Sequence, residues 1–384
     1  MLMNCDKPLK VLLQSPFARY SGLGNDGVDL AAALVRKGID VYINPSTAQP
    51  PLPQEVADLL TKPLTAPFDL LIAHTDIGSI DIAPVHRSVA DLVVGWSMWE
   101  FSTLDNLVGR SRFKKRMKSL DALVGYSQVS TDAFRGLAPR QLPLATLQGG
   151  YDAERWPYVE RDWASDCFRF VMNGVMNARK NPYAAIAAFA ELKQQYPEEF
   201  EPAELHIHSR VQTLPPELME RVPKLSIYYE TLTDLEMQMF YRIGHALIAT
   251  SRGEGKNLPA LEMLSTGAPV LYTDWSGHQE WGSSDYAYPL RMELRPVSAS
   301  GNPECKWAEV DQQRLKETML HCVRNRDEVR KKGLIASQTI PRTHSWDHVI
   351  DRFFGLLPEL VPGKGHEVKL KYDEALRQAA KESS

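Results

Sequence analysis

Short apolar runs alternate along the chain with longer stretches whose apolar residues share one helical face. Residues 9–14 (LKVLLQ) predict a buried strand. A glycine-bearing turn, residues 21–25 (SGLGN), follows it. Residues 26–37 then predict an amphipathic helix, because Val28, Leu30, Ala31, Leu34 and Val35 fall on one side. Gly38 is placed to stop that helix, and residues 39–43 resume as a strand. Further apolar runs at 70–73, 92–95 and 122–125 are separated by polar or helical segments. Strands alternating with helices pair in parallel, which predicts an α/β, doubly wound sheet.

The pattern restarts after residues 149–152 (GGYD). Residues 152–166 are polar and read as an interdomain linker. Strands are predicted at 168–172, 205–207, 225–229, 246–249 and 270–272. Helices are predicted at 183–196 and at 233–242, the second opened by the capping pattern Thr233-x-x-Glu236. Three more helices, 312–325, 328–337 and 345–357, precede a charged tail, 363–384, that reads as a loosely held helix. The expected domains are therefore 1–150 and 151–344, with a C-terminal helix near 345–360 packing back on the first.

Composition narrows this picture without changing it. A chain of 384 residues exceeds what one core usually serves, so two domains are expected. A net charge of −4 gives no global attraction to nucleic acid or membrane, so any such attraction has to come from a local patch. Cys5, Cys167, Cys305 and Cys322 lie far apart and form no Cys-x-x-Cys pair, which speaks against zinc clusters, redox dithiols and a disulfide framework. With no signal-like start and no apolar run near the ~18 residues needed to span a bilayer, the expectation is a reduced, cytoplasmic protein without a transmembrane segment.

The most informative stretch is residues 251–262 (SRGEGKNLPALE), continuing to 267–270 (GAPV). It joins a strand to a helix whose first turn holds Pro259, a residue suited to that position. A glycine-rich approach to a helix N-terminus presents backbone N–H groups and partial positive charge, an anion site suited to a diphosphate. Two acids flank it, Glu254 on the loop and Glu262 one turn into the helix, and each can accept hydrogen bonds from adjacent hydroxyls.

Glu254 and Glu262, seven residues between them and GAPV beyond, resemble the signature of the retaining glycosyltransferase family four. The likeness runs from the 21–25 loop to Trp346, through residues 119–124 (SLDALV) with Ser127, residues 149–152, and residues 232–236 (LTDLE) with Tyr241. It implies a GT-B fold, two Rossmann-like doubly wound domains facing a central cleft. By this resemblance Glu262 holds the ribose of a nucleoside-diphosphate sugar and Glu254 the donor sugar. Gly255, Lys256, Asn257 and Leu258 complete the donor loop, and Gly22 and Gly24 join the donor site. The family's basic pair maps onto residues 173–181 (NGVMNARKN), where Lys180 fits the lysine. Val175 replaces the usual arginine, so Arg179 supplies the second charge. Lys256-Asn257 replaces the family's Phe-Gly. Residues 96–100 (WSMWE) stand where a histidine is frequent, which makes Glu100 and, from an earlier strand, His74 the candidate acceptor-side bases.

The implied reaction moves a sugar to a hydroxyl acceptor with retention. Lys180, Arg179 and the helix N-terminus would stabilise the leaving phosphate. No Asp-x-Asp motif occurs, so neither a metal nor any further cofactor is expected. The acceptor is open. Arg110, Arg112, Lys114, Lys115, Arg116 and Lys118 form a basic segment that reads as a solvated helix face, as a surface for a phosphate backbone or, less well without an accompanying Trp- or Leu-rich stripe, as one for an anionic membrane. The KNLP loop also resembles bacteriophage-encoded glycosyltransferases, which would make hydroxymethylated DNA bases the acceptor. The alternatives are a glycan, lipid or protein acceptor, or an epimerase-type protein that binds sugar nucleotide without transfer.

Overall fold

The computed structural model of the chain describes residues 8–382 except 20, 50, 81–86, 105–109 and 301. Cys5 falls outside them, as do the side chains of Arg110 and Arg112. The chain divides into two units, one made of Met1–Tyr151, Ser298–Cys305 and Ser345–Ser384, the other of Asp152–Val297 and Lys306–His344.

The first unit holds a six-stranded sheet in the order β2-β1-β3-β4-β5-β6. Its strands are β1 (Lys10–Ala18), β2 (Asp40–Gln49), β3 (Phe68–His74), β4 (Ala90–Ser97), β5 (Ala122–Gly125) and β6 (Leu144–Thr146), all paired in parallel. Alternation sends Leu92, Val94 and Trp96 of β4 to one face and Val93 to the other, so both faces carry a core. Helices α1 (Gly22–Arg36), α2 (Gln54–Thr61), α3 (Arg110–Met117) and α4 (Gln128–Arg135) belong to this unit. The glycine-bearing turn expected at 21–25 is itself the first turn of α1. Ser21 accepts the Gly24 N–H at 3.0 Å as N-cap, and that starts the helix earlier than apolar periodicity indicates.

The second unit has its own parallel sheet, β12-β11-β10-β7-β8-β9. Its strands are β7 (Phe168–Asn173), β8 (Ala203–His208), β9 (Leu225–Tyr228), β10 (Ala246–Ala249), β11 (Val270–Thr273) and β12 (Tyr288–Leu290). The helices are α5 (Pro182–Gln195), α6 (Glu217–Arg221), α7 (Asp234–Ile243), α8 (Leu258–Ser265), α9 (Gln312–Arg324) and α10 (Arg326–His344). An antiparallel hairpin, β13 (Met292–Pro296) with β14 (Lys306–Val310), interrupts the α/β alternation. The capping box at Thr233 and Glu236 forms with both of its hydrogen bonds.

Residues 152–166 are more than a polar connector. Trp156 and Arg161 are buried in the second unit, and Ser265 Oγ donates to the Trp156 carbonyl at 2.6 Å. At the C-terminus, α11 (Trp346–Leu360) inserts Trp346, Val349, Ile350, Phe353, Phe354 and Leu357 into the core of the first unit. The segment read as a charged tail is α12 (Lys364–Glu382). Val368, Tyr372 and Ala375 recur one helical turn apart and are buried, with Tyr372 stacked on Phe354 at 4.0 Å between centroids. Its charges lie on the remaining faces, and that is why composition concealed the apolar stripe.

Candidate functional site

In parallel sheets ligands meet the loops at the carboxyl ends of the strands. Two such loops in the second unit share one construction. After β7 the chain runs through Arg179, Lys180 and Asn181 into α5, and after β10 it runs through Glu254, Lys256 and Asn257 into α8. Each helix has proline in its first turn and is preceded by an asparagine in the left-handed region, Asn181 at φ 51° and Asn257 at φ 68°. Asparagine tolerates that conformation better than most residues. Neither asparagine caps its own helix. Asn181 Nδ2 donates to Glu309 Oε1 at 3.0 Å, and Asn257 Nδ2 lies 2.8 Å from His278 Nε2. With the cap side chains diverted, both helix starts keep their N–H-rich ends for an anion.

Between these helix starts lies a compact ionic cluster. Glu254 is 4% exposed, with its carboxylate 2.9 Å from Arg179 and 2.5 Å from Lys180. Burial alone would raise its pKa, but the two cations outweigh burial and hold the carboxyl well below the usual range. Arg179 also donates to the Gly253 carbonyl at 2.6 Å, and the Arg252 N–H donates to the Arg179 carbonyl at 2.7 Å. A small cavity lined by Asn173, Met176, Lys180, Thr250, Ser251 and Asn257 opens beside them.

Two supports of this cluster were not legible in the sequence. Glu309 on β14 accepts from Arg252 at 2.6 Å as well as from Asn181, so one carboxylate ties the two loops together. His278 is fully buried, and its Nδ1 donates to the Thr273 carbonyl at 2.8 Å. Nε2 is then the acceptor for Asn257. Burial lowers the ring's pKa to about 4, in keeping with a neutral imidazole. A Cβ on Gly277 would come within 2.2 Å of the Gly255 carbonyl, so only glycine permits this close approach.

Glu262 sits on α8, 4% exposed, and its Oε2 accepts from the Tyr241 hydroxyl at 2.6 Å. Tyr241 is held in turn by Asn173 Nδ2 at 2.7 Å. Burial and the Glu262 carboxylate push the phenol pKa well up, so Tyr241 remains the donor. Beneath them Arg161 donates to the carbonyls of Gly244, Thr266 and Tyr241, which fastens the C-terminal ends of α7 and α8. Lys256 and Leu258 are also buried, and the Lys256 carbonyl accepts from the Trp281 indole at 2.8 Å.

The structure thus brings Arg179, Lys180 and Glu254 together and sets Glu262 on the helix that follows. The remaining candidates lie in the first unit. Gly24 is buried in α1, where a Cβ would come within 2.2 Å of the Ala18 carbonyl, and Gly22 is exposed in the same turn. Glu100 is half-buried after β4. His74 has no exposed surface, with Nδ1 2.9 Å from Ser15 Oγ and Nε2 hydrogen-bonded to the Tyr126 hydroxyl. Both of its ring nitrogens are thus engaged by groups of the first unit itself. The basic segment is also split. Lys114, Lys115 and Lys118 are exposed, whereas Arg116 is buried on the inward face with Phe113 and Met117. Among the described residues, no group of three or more His, Cys, Asp or Glu is placed to hold a metal ion, and no helix is long and apolar enough to cross a membrane.

No protein-family model matches the chain, and no curated protein matches it by sequence. Solved structures do match in fold. HepE of Anabaena, determined in complex with UDP and glucose, superposes with a TM-score of 0.62 at 12% identity, over 91% of this chain and 100% of that one. Sucrose-phosphate synthase of Thermosynechococcus elongatus gives 0.63 at 12% identity, over 92% and 99%. The N-terminal domain of trehalose-6-phosphate phosphatase of Candida albicans gives 0.64 at 12%, over 92% and 97%. At this identity the likeness is one of fold, and the fold is the α/β, two-domain GT-B class expected from the sequence.

Proposed function

We propose that the chain is a glycosyltransferase that takes its sugar from a nucleoside-diphosphate donor bound in the second unit. One observation carries the reading. Two uncapped helix starts, Arg179 and Lys180 meet around Glu254, and the buried carboxylate of Glu262 lies one turn along α8. A diphosphate fits the cations and helix starts, a ribose fits Glu262, and Glu254 is left to hold the donor sugar. Without ligand Glu254 serves as the counter-ion of Arg179 and Lys180, and an entering diphosphate takes over that charge balance. HepE, solved with UDP and glucose on the same fold, supports this donor class.

Chemistry follows from where charge develops. As the sugar–phosphate bond breaks, negative charge grows on the diphosphate, and Lys180, Arg179 and the α5 and α8 N-termini stabilise it. That arrangement supports a metal-independent reaction. Retention of configuration rests on the resemblance of the Glu254–Glu262 spacing to glycosyltransferase family four. Exposed Lys114, Lys115 and Lys118 favour an acceptor that bears phosphate, with hydroxymethylated bacteriophage DNA the specific class suggested by the KNLP loop.

The donor is tested by thermal shift against a panel of nucleotide sugars, since a ligand bound only by the folded state raises the melting temperature. Transfer is tested by release of free nucleoside diphosphate that requires acceptor. Release without added acceptor would mean hydrolysis, the sugar passing to water, whereas binding with no turnover would favour a protein that binds sugar nucleotide without transferring it. For DNA, changing Lys114, Lys115 and Lys118 to Ala should flatten the salt dependence of binding by about one unit for each phosphate left without its lysine. Transfer to a glycan or lipid but to no modified duplex would remove DNA from the reading.

A further inference from the structure

Behind Glu262 a line of polar groups runs across the carboxyl ends of β7 and β8. The Tyr241 hydroxyl donates to Glu262 Oε2, and Asn173 Nδ2 donates to Tyr241. Asn173 Oδ1 faces His208 Nδ1 at 2.8 Å, and His208 Nε2 lies 2.8 Å from the Glu230 carbonyl. Tyr241 has one proton, and it belongs to the carboxylate 2.6 Å away, so the tyrosine oxygen must be met by a donor. The amide nitrogen of Asn173, 2.7 Å away, is that donor, which turns its oxygen towards His208. The imidazole therefore stands between two acceptors, an amide oxygen and a backbone carbonyl, and satisfying both requires a proton on each ring nitrogen.

We propose that His208 and Asn173 are positioning residues for Glu262, and that protonation of His208 strengthens recognition of the donor ribose. This rests on the reading of Glu262 as the ribose acceptor. A neutral ring that keeps its proton on Nε2 presents a lone pair to Asn173. The amide then turns over to donate to Nδ1 and offers its oxygen to Tyr241, which competes with Glu262 for the phenol proton. A neutral ring that keeps its proton on Nδ1 instead leaves the Glu230 carbonyl unmet. Only the doubly protonated ring makes every bond in the line.

The charges that face the ring come from two directions. Burial lowers its pKa from the ordinary 6.5; the Glu230 carbonyl and carboxylate raise it, and Arg210 lowers it. From α7 the neighbour is the uncharged ring of Phe240, 5.8 Å away between centroids, and from β7 it is Asn173. The change in wiring therefore falls on the acid side of pH 6.5.

The test compares the nucleoside diphosphate that binds the wild-type protein with its 2′,3′-dideoxy counterpart, by calorimetry from pH 5 to 8. Phosphate ionisation affects both ligands alike, so the ratio of their dissociation constants isolates the ribose. The preference for ribose is expected to fall roughly three- to tenfold as pH rises across the range, the effect of about one hydrogen bond. It should be flat in His208→Phe. In the wild-type protein, nitrogen NMR should show the Asn173 side-chain amide signals moving with the titration of His208. A pH-independent ratio above one, or Asn173 signals indifferent to His208, would overturn the proposal while leaving Glu262 at the ribose. A ratio of one at every pH would instead remove Glu262 from the ribose and take this proposal with it.

Discussion

Each unit contains a histidine–tyrosine–carboxylate line near the carboxyl ends of its strands, and the two lines differ at both ends. In the first unit His74 meets Tyr126, and Tyr126 donates to Asp26 at 3.2 Å. In the second, His208 reaches Glu262 through Asn173 and Tyr241. Behind His74 stands the Ser15 hydroxyl, which can donate, so a neutral ring with its proton on Nε2 satisfies its neighbours. Behind His208 stands a carbonyl, which cannot. The residue at the far end thus decides whether a buried line is indifferent to protons or sensitive to them. The near end differs as well. Asp26 is 2% exposed inside α1, where it serves the packing of its own unit, whereas Glu262 lies one turn beyond the ionic cluster of Glu254, Arg179 and Lys180.

The largest expected effect separates the ionic site from both lines. Lys180→Ala should lower turnover by roughly 100- to 1,000-fold, the usual cost of removing one group that meets developing charge. Donor affinity should change much less, because the charge on the leaving phosphate grows towards the transition state. Steady-state kinetics with a separately measured donor Kd decides this. An equal loss in both would make Lys180 a binding residue alone.

Acid should tell the units apart next. His278 and His245 both belong to the second unit, and burial lowers each to about 4. Between pH 6.5 and 4 the folded state therefore binds fewer protons than the unfolded chain, so stability is intact above 6.5 and declines through that window. The loss is up to roughly 3 kcal/mol for each ring. Calorimetric melting between pH 7 and 4 should show the second unit weakening first, with a shallower decline in His278→Asn. A melting profile that does not change until below pH 4 would contradict the buried neutral assignments.

Glu262→Ala should weaken nucleoside diphosphate binding by about 10- to 100-fold, since a hydrogen bond to a charged group is worth roughly 1.5–3 kcal/mol. Asp26→Asn, altering the carboxylate of the other line, should leave that affinity alone and lower the melting temperature. Unchanged nucleotide affinity in Glu262→Ala would place the ribose elsewhere.

The sequence revealed most of what repeats and little of what joins. The strands at 122–125 and 246–249 fall where apolar runs predict them, because a buried parallel strand is written in consecutive residues. Glu254 and Glu262 were legible from the glycine-rich approach to a helix start, whereas Arg179 and Lys180 were singled out only through the resemblance to glycosyltransferase family four. The supports were not. Glu309 comes from a hairpin whose short strands alternate weakly, and it lies 57 residues from Arg252. Arg161 sits in a polar stretch that reads as a linker, and nothing local tells that its guanidinium will be buried among helix ends. Asn173 and His208 are ordinary strand-end residues until the register of β7 against β8 sets them side by side. His74 shows the same limit from the other side: a histidine after a strand suggests chemistry, and only packing shows both nitrogens engaged.

The sharpest test of the comparison makes the same small deletion in each line. Tyr126→Phe and Tyr241→Phe both remove one hydroxyl from a fully buried ring, so the volume change is equal and slight. In the first unit the deletion leaves Asp26 one donor short and His74 without its partner on Nε2. The expected cost is roughly 1–3 kcal/mol of stability, read as a lower melting temperature with nucleotide affinity unchanged. In the second unit Glu262 loses the donor that fixes its orientation. Nucleotide affinity should fall roughly three- to tenfold, the value of about one hydrogen bond, and its dependence on ribose should no longer follow pH. Stability falls there too, so melting temperature alone does not discriminate between the variants. The discriminating quantity is the ratio of ribo- to dideoxyribonucleotide affinity in each variant at pH 5.5 and 7.5. If Tyr126→Phe changes that ratio as much as Tyr241→Phe does, the two lines are not functionally distinct and the contrast between them fails.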